Sequence, residues 1–156
     1  MTEPFPADFL DLLTALNHAD ARVMQVGGHA VAFHGRPRAT KAFDLWMDAT
    51  PDNAARVLTA LRAFGAPLGT LSERDLAQPG HGFRMGVPPL RIEVLTEISG
   101  VTFAEAWPRR ETLDLGGHAV AVIGRDDLLR NKRAAGRPQD LADVDALERQ
   151  ARGEGV

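Results

Sequence analysis

The sequence contains no cysteine, which excludes disulfide frameworks and cysteine-ligated zinc. No apolar run approaches the roughly 18 residues that a membrane-spanning helix needs, and the N-terminus lacks a signal-peptide pattern. A cytoplasmic protein with no membrane partner is therefore expected. Charge of neither sign predominates: 18 Lys and Arg against 21 Asp and Glu give a net charge of −3. That balance argues against broad, nonspecific nucleic-acid binding and leaves room for a local basic patch only. Internal repeats and low-complexity tracts are missing as well. What is present is core material, since 44% of the 156 residues are hydrophobic, too many for a disordered chain. One domain over residues 1–151 is expected, followed by a flexible tail at 152–156.

Local patterning predicts the order α, β, short α, β, α, β, β, short α, β, β, α, α. Phe9, Leu10, Leu13 and Leu16 share one face of a first helix from about Pro6 to Ala15. A strand at 22–26 runs into Gly27-Gly28, and a short helix follows over His29 to His34. Phe43, Leu45 and Met47 alternate with Asp44, Trp46 and Asp48, which reads as a strand with one apolar face and one acidic face. Thr50, Pro51 and Asp52 then open a helix whose stripe is Ala54, Val57, Leu58, Leu61 and Phe64, closed by Gly65. Residues 66–80 read as a loop with a helical turn begun by Ser72. Strands are predicted at Gly82 to Val87 and Leu90 to Thr96, a capping box at Thr102 and Glu105, and a hairpin turning at Gly116-Gly117. Two helices, about Asp126 to Ala135 and Pro138 to Ala151, finish an α+β fold with a mixed sheet flanked by helices.

Three stretches carry chemistry: Val26-Gly27-Gly28-His29-Ala30, Arg38-Ala39-Thr40-Lys41-Ala42-Phe43-Asp44-Leu45-Trp46, and Arg91-Ile92-Glu93-Val94-Leu95. A strand, a Gly-Gly turn and a helix start expose backbone N–H groups that can hold phosphate oxygens. The same pair of glycines also suits an ordinary tight turn. Asp44 and Glu93 each sit on a strand whose other face is apolar. If those strands are neighbours, both carboxylates project from one side of the sheet, a set that suits Mg2+ together with substrate phosphates. The alternative is a solvated sheet face.

Taken together, the three stretches resemble the nucleotidyltransferase superfamily, and look closest to small bacterial members related to the toxins of abortive-infection (AbiEii-type) toxin–antitoxin systems. That pattern is a Gly-Gly or Gly-Ser turn, then Asp-x-Asp on a strand, then an acid on a later strand. Gly27 and Gly28 match the turn, Asp44 the second acid and Glu93 the third. The segment from Leu129 to Asp143, with Lys132, Arg137 and Asp140, is similar to the family's Lys, Arg and Asp run. The resemblance implies Asp44 and Glu93 as ligands of Mg2+ or Mn2+, with Glu93 alternatively accepting the proton of the attacking hydroxyl. It also implies a nucleotide site at Gly27, Gly28, the backbone of His29, Lys132, Arg137 and Asp140. An NTP would donate a nucleoside monophosphate to a tRNA or protein hydroxyl, and a cognate antitoxin would be a partner. Small drug-modifying transferases share the same plan.

One departure is serious: the first acid of Asp-x-Asp falls at position 42, where this chain has Ala42. Ala42 shares a strand face with Asp44, so a metal-ligand position lacks its carboxylate. Either the chain is a natural member that has ceased to catalyse, or an Asp has been replaced; the otherwise intact motif favours replacement. A non-catalytic module that binds nucleotide or antitoxin is the second reading, and a structural domain with no nucleotide the third. Lys132 is equally readable as a solvated helix charge, and Asp140 with Asp143 as acids favouring a helix start. Arg36, Arg38 and Lys41 cluster ahead of the Asp44 strand as phosphate or RNA binders, or as a solvated loop. Trp46, on the Asp44 face, would stack on a base or be partly buried. His29 and His34, five apart, lack the four-residue spacing of zinc pairs.

Overall fold

A computed structural model describes residues 6–36 and 42–153 of the chain. Its elements in chain order are α1 (Ala7–His18), β1 (Val23–Val26), α2 (Gly27–Phe33), β2 (Ala42–Met47), α3 (Pro51–Phe64) and α4 (Glu73–Leu76). Then come β3 (Gly82–Met85), β4 (Arg91–Leu95), α5 (Phe103–Ala106) with a 3-10 turn at Trp107–Arg109, β5 (Glu111–Leu115), β6 (His118–Val122), α6 (Arg125–Ala135) and α7 (Pro138–Ala151). Among the described residues no helix is long and apolar enough to cross a membrane.

The strands form one mixed sheet in the order β3-β4-β2-β1-β6-β5. Strand β2 runs antiparallel to β1 and parallel to β4, so the middle of the sheet joins segments far apart in the chain. The two outer hairpin partners, β3 with β4 and β5 with β6, are antiparallel.

Alternation along β2 divides the core in two. Phe43, Leu45 and Met47 face one way and pack with Phe9, Leu12, Leu13 and Leu16 of α1 and with Val57, Leu58 and Leu61 of α3. Trp46 faces the other way and packs with Ala30 and Val31 of α2, Phe103 of α5, Leu128 and Leu129 of α6 and Leu147 of α7. The sheet is thus covered on both faces, and neither is a solvated acidic surface. The expected base-stacking role of Trp46 does not fit this placement: the indole is 1% exposed and meets Phe103 edge-on at 5.1 Å between ring centroids. An alternating strand shows which residues share a face, not what covers it.

Helix α3 forms where capping and apolar spacing coincide. Thr50 accepts a hydrogen bond from the Asn53 backbone N–H, Pro51 occupies the first turn, and Gly65 ends the helix in the left-handed conformation at φ 90°. Asn53 does more than start a helix. Its side-chain oxygen accepts from the Arg22 N–H at 2.7 Å, and its amide donates to the Arg22 and Asp48 carbonyls at 3.1 and 2.8 Å. These bonds join the start of β1 to the end of β2 and so support the register of the strand that carries Asp44. Replacing Asn53 by Ala strands buried backbone groups, and we expect a loss of about 2 kcal/mol of unfolding free energy in urea titrations.

Candidate functional site

The parallel pairing of β2 with β4 places Asp44 opposite Glu93 and Ala42 opposite Arg91. Residues paired this way project from one side of the sheet, so the two carboxylates converge. On the other flank of β2, Asp44 pairs with Val26, and the chain turns into α2 at the next residue. Gly27 adopts φ +70°, and a Cβ there would collide with Asp44 Oδ2. Glycine at 27 therefore serves two needs, a left-handed backbone and room for the carboxylate. Helix α2 begins at Gly27, whose backbone lies against the Asp44 carboxylate, so its first turn, Gly27-Gly28-His29, starts beside that acid.

Asp44 is half-buried, and its Oδ1 is buried without a hydrogen-bond partner. Burial, followed by the charge and close approach of Glu93, pushes its carboxyl up to about 6, against the opposing pull of Lys132 and Arg137. Glu93 is held differently. Arg84, its cross-strand neighbour on β3, pairs ionically with Glu93, Nε lying 2.9 Å from Oε1, and Arg91 Nη1 lies 3.7 Å from the same oxygen. Arg91 Nε is buried and unpartnered.

A second charged cluster stands behind Asp44. Lys132 is only 5% exposed, and its ammonium lies 3.1 Å from Asp140 Oδ1 and 3.3 Å from Asp143 Oδ2. Arg137 donates to both oxygens of Asp140, at 2.6 and 3.2 Å. Burial alone would raise Asp140; hydrogen bonds from Arg137 and Lys132 outweigh it and hold the carboxyl below the ordinary range. Asp143 is closed off by Arg36 at 3.4 Å and by the Gln139 amide at 3.1 Å. Lys132 is thus a buried ion-pair centre rather than a solvated helix charge, and Asp140 and Asp143 do more than favour a helix start. Arg137, exposed on its outer side, is held charged by Asp140 first and also by Asp44.

Other expected site residues lie elsewhere. The His29 ring packs edge-on against Phe9 and Phe43 at 6.0 and 5.5 Å, and burial lowers its pKa. His34 contacts the Ile123 carbonyl through Nε2 at 2.7 Å, apart from His29. Arg36 is engaged by Asp143, while Arg38 and Lys41 fall outside the described residues. Sequence reasoning missed Arg84 and gave no role to Arg91. The signal for both was present: Arg91 and Glu93 alternate on one face, and Arg84 sits in the preceding hairpin strand.

Two carboxylates, one with a buried unpartnered oxygen, fit a single divalent ion that completes its shell with water and phosphates. A second ion would need further oxygen ligands. Among the described residues there is no group of three or more metal-ligating side chains, and Ala42 contributes none.

No family model matches the sequence, and no curated protein matches it. The fold is similar to the crystal structure of an antigenic nucleotidyltransferase-like protein from Paracoccidioides brasiliensis, at a TM-score of 0.52 and 22% identity. The alignment covers 93% of this chain and 78% of that one. The architecture is therefore an α+β, nucleotidyltransferase-like fold.

Two outcomes follow for stability. The Asp44 carboxyl rises from 3.8 to about 6 on folding, so its ionisation opposes the folded state. Below pH 3.8 that cost is absent; it grows between pH 3.8 and 6 and is complete above. Asp44→Asn should therefore stabilise the protein above pH 6, on the order of 2 kcal/mol. In thermal melts, a gain that persisted at pH 3 would contradict this cause. Gly27→Ala should destabilise by about 1–3 kcal/mol at every pH, because it strains the backbone and displaces Asp44.

Proposed function

We propose that this site serves transfer of a nucleoside monophosphate from an NTP to an acceptor hydroxyl, in a chain whose acid set is one carboxylate short. The observation that carries the reading is the facing pair Asp44 and Glu93 beside Gly27, with Asp44 Oδ1 unpartnered, on a nucleotidyltransferase-like fold. Asp44 and Glu93 would hold Mg2+ or Mn2+, which supplies neutralisation of phosphate charge. The N–H groups of Gly27, Gly28 and His29 bind phosphate oxygens, and Arg137 reaches over the same space with Lys132 and Asp140 fixing its base. The acceptor oxygen forms a bond to the α-phosphorus, the bond to pyrophosphate breaks, and the hydroxyl proton passes to Glu93 where Asp44 alone holds the metal, or otherwise to solvent. A tRNA end or a protein side chain is the acceptor class that goes with this reading, and a cognate antitoxin the partner.

A second reading, a non-catalytic module binding nucleotide or an antitoxin, is favoured by Ala42 and by the two arginines on Glu93. Restoring the acid separates the two. Ala42→Asp should raise transfer of label from α-labelled NTPs, with Mg2+ present, by about 100-fold or more over the parent chain. Adding Glu93→Gln to that variant should remove the gain. Nucleotide binding without transfer by Ala42→Asp, across tRNA, protein and drug acceptors, would establish the module instead.

A further inference from the structure

The residue set opposite the missing acid carries a surplus of positive charge that the transfer chemistry does not use. We infer that Arg91, assisted by Arg84, binds the triphosphate of a nucleotide directly, so that this chain holds its ligand without a divalent ion. The inference rests on the nucleotide site proposed above and changes what grips the phosphates.

Ala42 and Arg91 are partners in the parallel β2–β4 register. An acid at position 42 would stand beside the Arg91 guanidinium and neutralise it. A methyl group cannot. Among the described residues, what remains near Arg91 is Glu93, and that carboxylate is shared: Arg84 Nε lies 2.9 Å from Oε1 while Arg91 Nη1 stays at 3.7 Å, beyond hydrogen-bond reach. One carboxylate thus faces two guanidiniums, and the closer contact belongs to Arg84. The Nε of Arg91 is sequestered from solvent yet bonds to nothing. Buried N–H donors of charged groups are seldom left so unless a partner arrives.

The chemistry of the missing partner follows. It must bring anionic oxygens, because both nearby donors are guanidiniums, whose planar forks match phosphate. It must enter from the open side, where the Arg91 side chain is 31% and the Arg84 side chain 65% exposed. It must tolerate Asp44 and Glu93, which a polyphosphate can do where cations outnumber carboxylates. Among the described residues, Arg84, Arg91, Lys132, Arg137 and Arg36 stand against Asp44, Glu93, Asp140 and Asp143. An acid at position 42 would bring the two sets level and leave a metal to tip the site toward phosphate. With Ala42 the balance already favours the anion.

Calorimetric titration of the full chain with ATP and with inorganic tripolyphosphate, in EDTA and in Mg2+, tests this. Both ligands should bind in EDTA, within about threefold of their affinity in Mg2+. Arg91→Gln should weaken binding in EDTA by about tenfold or more, and Arg84→Gln, on the exposed edge strand, by about threefold. Ala42→Asp should make binding dependent on Mg2+. Binding by the parent chain only in Mg2+ would overturn the inference and leave the transferase reading standing. So would an Arg91→Gln protein that melts and binds like the parent. Failure of both ligands in both buffers would overturn the two together. Tripolyphosphate binding without ATP binding would retain the phosphate grip and remove the nucleotide.

Discussion

Two carboxylates held side by side in a half-buried place repel each other, and the register of β2 against β4 enforces that proximity. The neighbouring features answer the repulsion. Arg84 and Arg91 engage Glu93 from the sheet edge, Lys132 and Arg137 draw on Asp44 from the helical layer, and Gly27 leaves the space Asp44 occupies. The compensation is incomplete, as the raised pKa of Asp44 and its unpartnered Oδ1 show. Structures retain such frustration where a ligand resolves it.

The helical layer supplies its charge from an internally satisfied network. Burying Lys132 unpaired would be costly, and two buried carboxylates answer it. Those acids would in turn be over-supplied with negative charge, and Arg137, Arg36 and Gln139 close them from outside. Because Lys132 belongs to α6, Asp140 and Asp143 to α7, and Arg36 follows α2, the network fixes three helices relative to one another. It therefore acts on Asp44 as a rigid positive background more than as a set of hands for a ligand. Arg137 is the exception, since its guanidinium stays exposed while Asp140 anchors it.

Much of this was legible in the sequence because it is local. Thr50, Pro51 and Gly65 bound α3 through capping and backbone preference, and alternation from Ala42 to Met47 marked β2. The convergence of Asp44 with Glu93 followed only on the condition that their strands are neighbours. That pairing spans the whole of α3, α4 and β3, and no local rule fixes it. Trp46 shows the same limit from the other side: its face was legible, but the cover formed by α2, α5, α6 and α7 depends on packing between distant segments. Lys132 was ambiguous for a related reason. Its partners lie eight and eleven positions on, in a different helix, where helical spacing carries no information. Arg84 escaped notice because cross-strand pairing depends on register, which the Pro88-Pro89 connection left open.

Position 42 ties the electrostatics to the fold. A third carboxylate on this face would add repulsion to a pair that already resists ionisation, and without a cation the sheet would bear that strain directly. Alanine removes it while keeping the strand geometry, since a methyl group satisfies the half-buried site next to Arg91. Alanine here is thus mildly favourable for stability, and on the proposed reading it would be adverse for metal-dependent chemistry, the usual opposition at a functional site. In the proposed reading, three acids would collect cations first and phosphates through them, whereas two acids and a guanidinium only loosely paired with Glu93 would meet the phosphate directly. On the proposals above, this one side chain would decide whether the same fold behaves as a metal-dependent catalyst or as an anion receptor.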